Sequence, residues 1–317
     1  MNNNDKMFFT SMSCQKIMKK VAQLFKDRRK VLGMTAEEVA KGICDIKTLY
    51  NMENGKTSMN YGDLFRLFKK VDLAFEEVGL AIGYDQYKIN NYCYENNIKE
   101  LEKILAEKRD SPFLNNEDYV YILMISAFLN EMKPDYNIPE KDLEKAADYF
   151  MDLNYWGYSE MVLFCNTLNA LKINLVILIT QELTNQIEEI HRNYKKKNLF
   201  IRILINVSYA CLQHHYLAQA SYFLNHLGSL LKTQLNENNM FERQVFKFMK
   251  GYYYLLNGKK QKGLEMMNTA IGIFAATESF DLVERYRKYL VQAVAQAEEK
   301  LDENQKNKFG NLRLLDK

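Results

Sequence analysis

The 317-residue sequence has little proline and little glycine, three and thirteen residues respectively. That scarcity argues against disorder and against a turn-rich sheet fold, and it predicts an all-α protein. No stretch approaches the roughly 18 consecutive apolar residues that a membrane-spanning helix needs. The opening MNNNDKMFF has neither the basic region nor the long apolar stretch of a signal peptide, so a cytoplasmic chain with no membrane partner is expected. The five cysteines (Cys14, Cys44, Cys93, Cys165 and Cys211) are odd in number, far apart and never arranged as CxxC. They read as reduced thiols rather than as a disulfide framework or a zinc site.

Signatures of catalysis are missing too. The four histidines (His191, His214, His215 and His226) include no HExxH. The adjacent pair His214 and His215 would diverge by about 100° on a helix, which is poor for joint metal ligation. There is no Walker sequence, no GxGxxG after a strand and no G-x-S-x-G elbow. Glu188-Glu189 and Glu298-Glu299 lie on polar helix faces, where solvated charge is the default explanation. No catalytic residue, metal site or cofactor is expected.

Hydrophobic residues make up 47% of the chain and charged residues 26%, a soluble globular balance at a length suited to one large domain or two ordinary ones. The net charge of +3 is unevenly spread. Residues 1–70 hold eleven Lys and three Arg against four Asp and three Glu, a local net charge of +7 that leaves −4 for the remainder. A basic segment of this kind is a first pointer to nucleic acid, and a solvated basic face is the alternative.

Within that segment Ile17, Val21, Leu24 and Phe25 recur at helical spacing among Lys19, Lys20, Lys26, Arg28, Arg29 and Lys30, predicting a basic amphipathic helix that Gly33 ends. Thr35 with Glu38 forms a capping-box pattern for a short helix over Ala36 to Lys41. Asp45 then caps a third helix running from Ile46 to Met52, stopped by Asn54-Gly55. Two further short helices are predicted over Tyr61 to Lys70 and Phe75 to Ile82. The run LGMTAEEVAKGICDIKTLYNMENGKTS at 32–58 resembles the helix-turn-helix of the Cro/C1-repressor class, including the ENGK ending at Glu53 to Lys56. Ala36 stands where that class often carries a glutamine against the phosphate backbone.

A recognition helix lies in the major groove and reads base edges with its exposed N-terminal side chains. Lys47, Thr48, Tyr50 and Asn51 are the candidate base contacts, with Ile46 as an apolar addition, whereas Leu49 and Met52 are expected to face the core. Lys19, Arg28, Arg29 and Lys56 are candidate phosphate contacts. Cys44, beside the cap, reads either as a redox-sensitive dimer contact or as a small buried turn residue.

Beyond Gly83 a tyrosine- and asparagine-rich stretch reads as a linker. From Ile98 the chain alternates long apolar-periodic segments with short polar breaks, predicting antiparallel helix pairs. INLVILIT at 173–180 would be ambiguous between helix and strand if it stood alone. A shift of 44 positions aligns Leu168, Leu212 and Leu256, then Leu183, Leu227 and Ile271, and also Gly228 with Gly272. That period suits a helix-turn-helix repeat of tetratricopeptide type, whose first helices line a concave face. The boundaries predicted are a tail at 1–15, a five-helix DNA-binding domain at 16–83, a linker at 84–97, a TPR-like α-solenoid at 98–302, expected to be the peptide-binding and dimerisation domain, and a tail at 303–317.

A basic helix-turn-helix joined to such a solenoid resembles the Rgg/MutR family of Gram-positive transcriptional regulators, in the wider group of peptide-pheromone sensors that includes PlcR and PrgX. GICDIKTLYNMENGK at 42–56 and MNTAIGIFAATESFDLVERYRKYL at 267–290 carry the resemblance. It implies a homodimer, an inverted-repeat promoter operator in double-stranded DNA, and control by a short signalling peptide in quorum sensing. Peptide amides are matched by Asn or Gln and a carboxylate by Arg. On the first helices of the pairs the candidates are Asn166, Asn169, Arg202, Asn206, Arg243, Gln244 and Lys247, each also readable as an ordinary surface group. Trp156 and the tyrosines at 252–254 read as pocket walls or as core. A second function stays open: a helical-repeat adaptor for a protein partner, with a degenerate helix-turn-helix.

Overall fold

A computed structural model describes residues 14–82, 85–111, 114–133, 135–191, 193–233 and 239–312. Every regular element among them is a helix, seventeen in all. Residues 1–13 and 313–317, most of the predicted tails, lie outside the described residues. The chain divides into two compact units, residues 1–104 and 105–317.

The first unit opens with α1 (Cys14–Val31), α2 (Ala36–Ala40), α3 (Ile46–Glu53), α4 (Tyr61–Lys70) and α5 (Phe75–Ile82). The local signals act as their chemistry dictates. The Thr35 hydroxyl accepts the Glu38 amide while the Glu38 carboxylate accepts the Thr35 amide, satisfying two orphan donors of α2. Asp45 accepts the Thr48 amide at 2.8 Å, and Asn60 accepts that of Asp63 at 2.9 Å, which starts α4. The turns after α1 and α2 pass through left-handed backbone at Gly33 (φ +67°) and Gly42 (φ +78°), where a side chain would be strained. Phe25, Val39, Leu49, Leu67, Phe68 and Val71 form the core that the five helices share. Each such side chain removed from water contributes about 1.5–3 kcal/mol.

The stretch predicted as a linker is largely helical: α6 (Asp85–Tyr94) packs against α5. Its Tyr and Asn residues have modest helix propensity, but Ile89 is fully buried, and burial outweighs a few tenths of a kcal/mol per residue. The asparagines instead make the junction. Asn96 takes a left-handed φ of 53°, the Asn97 amide donates to Tyr92 O, and the Asn97 side chain caps the start of α7 (Ile98–Arg109).

The second unit stacks helix pairs: α8 (Asn116–Met132) with α9 (Glu140–Met151), α13 (Tyr194–Gln213) with α14 (Leu217–Thr233), and α15 (Met240–Leu256) with α16 (Lys260–Ala276), while α10 (Tyr158–Thr167) packs on α8 and α13, and α11 (Ile173–Asn185) on α9 and α13. The short α12 (Ile187–His191) packs on α13, and α17 (Phe280–Leu312) closes the array, its helix continuing through the first ten residues of the predicted C-terminal tail. First helices neighbour one another in the order α8, α10, α13, α15, α17. The 44-residue register is visible in packing, because Leu168, Leu212 and Leu256, like Leu183, Leu227 and Ile271, are all buried.

The segment 173–180 is helical. Val176, Ile179, Thr180, Leu183 and Thr184 form its buried stripe, and the Thr180 and Thr184 hydroxyls donate to the carbonyls four residues back. Gln186 ends this helix, its amide reaching both Leu183 O and Thr184 O. Gly228 and Gly272 share an alignment but no packing role: a Cβ at Gly228 would sit 2.8 Å from the Phe246 ring, whereas Gly272 faces open space. The true close approach is between α15 and α16, where a Cβ on Gly251 or Gly263 would fall 2.7 Å from the other's carbonyl oxygen.

Near the end of the array Gln296 joins three first helices. It accepts from the Tyr252 hydroxyl of α15 and donates to Gln213 O at the end of α13. The Tyr209 and Tyr289 rings, 5.1 Å apart, add a second link between α13 and α17.

Candidate functional site

Helix α3 is divided by burial into two faces. Leu49, Met52 and Glu53 point into the domain, while Lys47 and Tyr50 are exposed and Asn51 is partly so. Lys47, Tyr50 and Asn51, at i, i+3 and i+4, therefore share an outward face. Thr48 is half-buried and its hydroxyl donates to the Asp45 carboxylate at 2.6 Å, so it serves the cap that starts the helix. That bond leads the interactions holding Asp45 below its ordinary carboxylate pKa. Lys56 is exposed just past Gly55, where φ is +63°. Lys19 of α1 lies against this turn, its Cγ 3.0 Å from where a Gly55 Cβ would be, which brings a further exposed cation to the C-terminal end of α3.

One predicted phosphate contact is corrected, and a second proves to have a structural role as well. Arg29 is buried: its Nε donates to Glu53 Oε1 at 2.5 Å, its Nη2 to Oε2 at 2.9 Å, and its Nη1 to Met34 O at 2.8 Å. The bidentate bond to Glu53 raises the arginine pKa further. A guanidinium consumed in this way fixes α1 to the end of α3 and offers nothing to a phosphate. Sequence reasoning missed Glu53 as its partner, although Glu53 sits four residues after buried Leu49 on the apolar stripe of α3, a position that calls for a countercharge. Arg28 is half-exposed and donates to Val71 O and Asp72 O, closing the last turn of α4. It is a helix tie first, with part of its guanidinium still reachable.

Cys44 packs at the edge of the domain core. Burial, then the neighbouring Asp45 carboxylate, pushes its thiol pKa up, which keeps it protonated and favours the turn-residue reading.

On the repeat unit the predicted ligand residues fall into separate groups. Arg202 is exposed and Asn206 half-buried one turn apart on α13. Asn206 Nδ2 lies 4.0 Å from Cys165 Sγ on α10. Burial lifts the Cys165 thiol to about 11 while Arg202 pulls it back, which places that guanidinium in the same neighbourhood. Asn166 is exposed on α10, 3.5 Å from Met124 Sδ on α8. Asn169 is not on the helix with it but in the turn that follows.

Arg243 donates to Leu231 O at 2.6 Å, satisfying a carbonyl in the last turn of α14. Lys247 is half-buried, and Gln244 has a buried Oε1 with no hydrogen-bond partner among the described residues. A second such acceptor is Asn198 Oδ1, on the stripe Asn198, Arg202, Asn206, whose four-residue spacing is the signal the sequence carries for it. Trp156 and Tyr252 are core, Trp156 stacking on Phe150 at 5.9 Å. His214 and His215 are not helical neighbours: His214 ends α13 and His215 occupies a left-handed turn at φ 60°. No helix among the described residues is long and apolar enough to cross a membrane.

A five-helix unit with an outward recognition helix, followed by stacked helix pairs, defines the class: an all-α helix-turn-helix regulator with a helical-repeat domain. The model of the C-terminal domain of HTH-type transcriptional regulator Rgg matches residues 85–288, well over half of the chain, and the chain belongs to that family. It is a transcriptional regulator and not an enzyme.

Solved structures share the fold. The SHP pheromone receptor Rgg2 of Streptococcus dysgalactiae is 20% identical with a TM-score of 0.65, covering 86% of this chain and 100% of its own. The PrgX/cCF10 complex is 15% identical with a TM-score of 0.58, covering 87% and 92%. A bacterial peptide pheromone/receptor complex is 15% identical with a TM-score of 0.53, covering 88% and 98%.

Proposed function

We propose that this chain is a sequence-specific regulator that binds an inverted-repeat operator as a homodimer and whose operator binding or activity is set by a short signalling peptide held on the first helices of its repeat unit. The observation that carries the DNA-binding half is the division of α3, with Lys47, Tyr50 and Asn51 outward over a face anchored by Leu49, Met52 and the Arg29–Glu53 pair. Base readout needs such side chains on a helix held rigidly from behind. The peptide half is supported by the Asn198, Arg202, Asn206 stripe, with its amide and guanidinium chemistry and an unmet acceptor, and by family relatives known as pheromone receptors. Peptide binding that favours one arrangement of the dimer changes operator affinity by linkage.

Selection of bound duplexes from random DNA tests this, run with the wild type and with the Lys47→Ala/Asn51→Ala variant. An inverted repeat enriched only by the wild type is the expected result. Enrichment of no motif by the wild type, with or without candidate peptides, refutes sequence-specific binding and leaves the adaptor function.

A further inference from the structure

Helix α17 carries a stripe that no other described residue covers. Phe280 is 69% and Val291 70% exposed, and exposed Glu284 and Arg287 lie between them. The intervals alternate four, three and four residues, the seam of a helix that packs lengthwise against another at about +20°. The helix has a separate inner face, where Val283, Tyr286, Ala293 and Ala297 are buried against its own domain. A shallow depression of about 670 Å³ follows the stripe, walled by Phe280, Glu284, Arg287 and Val291 among others.

We infer that this stripe is an isologous contact with α17 of a second copy of the chain, antiparallel, with the two-fold axis passing between Arg285 and Tyr286. With the axis there, Phe280 faces Val291 of the partner subunit and Glu284 faces Arg287 of the partner subunit, each twice by symmetry. Every layer along the seam is matched, apolar on apolar or acid on base.

The charges also select the arrangement. A parallel pair sets Glu284 on Glu284 and Arg287 on Arg287, and sliding the antiparallel pair by one seam step sets Phe280 against Arg287 of the partner subunit in one direction and Val291 against Glu284 of the partner subunit in the other. Like charges brought together cost several kcal/mol, and polar groups in a seam are what fix register and orientation. Arg287 has no ion-pair partner among the described residues. Glu284 holds Lys288 at 2.7 Å and, having about four acceptor positions, retains capacity for a second cation. An unrelated apolar helix would satisfy Phe280 and Val291 but leave both charges buried and unmatched, so a second copy is the occupant.

This contact rests on the homodimer proposed above, and sedimentation of the full chain over a concentration series separates the two. Glu284→Arg and Arg287→Glu should each weaken dimerisation at least about tenfold, because each brings like charges together at two symmetric layers, and the double exchange should return it to within about threefold of wild type. Lys288→Ala, which removes only the intrahelical pair, should change it by less than about threefold. Circular dichroism checks that each variant is folded, which exposed positions favour. A dimeric wild type with unchanged single variants overturns the contact and leaves the homodimer standing. Weakened single variants that the double exchange does not rescue overturn the antiparallel register, and a wild type monomeric throughout overturns both.

Discussion

Glu53, fully buried at the end of α3, receives two hydrogen bonds from Arg29 on α1, at 2.5 and 2.9 Å. The pair turns the ENGK ending into a packing device. Removing one partner strands a buried charge. Arg29→Ala or Glu53→Ala is expected to destabilise the N-terminal helical unit by about 3–5 kcal/mol, while replacing both with apolar residues of similar volume should cost far less. Chemical denaturation of the three variants measures this, and a double change that costs the sum of the two single losses would contradict the pairing.

Salt dependence distinguishes the remaining cations. Lys56→Ala should lower the slope of log affinity against log salt by about one unit and weaken operator and general DNA alike. Asn51→Ala should leave the slope nearly unchanged and lose about 1–3 kcal/mol on the operator alone. Titrations at three salt concentrations resolve the two patterns.

The caps predict an acid sensitivity. Glu38 is held below its ordinary pKa of 4.5, chiefly by the Thr35 amide and then by the Thr35 hydroxyl. Its contribution is thus fully present above pH 4.5 and is lost as pH falls through the lowered folded value. Glu38→Gln keeps the box geometry and removes the titration. The stability advantage of wild type over this variant should shrink steadily in melts taken from pH 6 to about 3, and a constant difference would show that the bond does not depend on charge.

Gly251 and Gly263 should resist substitution. A methyl on either meets the facing carbonyl at 2.7 Å, so Gly251→Ala is expected to cost about 1–3 kcal/mol from overpacking, less the 0.5–1 kcal/mol gained in helix propensity. Gly272→Ala, at an open position, should be neutral or stabilising. Thermal melts of the two variants give opposite shifts if the close approach is real.

The repeat-unit candidates separate by readout. With a peptide selected from a library on the wild-type protein, Arg202→Ala and Asn206→Ala should each weaken binding by roughly tenfold, as loss of a hydrogen bond to a charged or buried group does. Arg243→Ala should lower the melting temperature with little effect on peptide, since its donor is spent on Leu231 O. Peptide loss confined to Arg243→Ala would invert the assignment.

The helix-turn-helix was almost wholly legible because its determinants are local. Thr35, Glu38, Asp45 and the glycines at 33, 42 and 55 act within a few residues of themselves, and the structure shows each in its capping or turn role. Arg29 was misread because its partner is 24 residues away, and a basic helix in a basic segment gives no hint of which cation turns inward. The same limit applied to the repeat unit. Leu168, Leu212 and Leu256 exposed the register, but whether an Asn or Arg is free depends on neighbouring helices some forty positions distant, as with Asn206 beside Cys165. The helix at 85–94 was hidden by its composition, since Ile89 alone supplies the buried anchor that overrides tyrosine and asparagine.

In a stack of helix pairs, influence ordinarily passes only from one layer to the next, and the end of the stack frays first. Gln296 breaks that rule, because it fastens α17 to α13 as well as to α15. A clasp that skips a layer couples the opening of α17 to that of α13 and α15, so amide exchange in these three helices should report similar opening free energies. The terminal helix acts less as a lid than as a rivet, and bending of the array is expected to carry α13, α15 and α17 together.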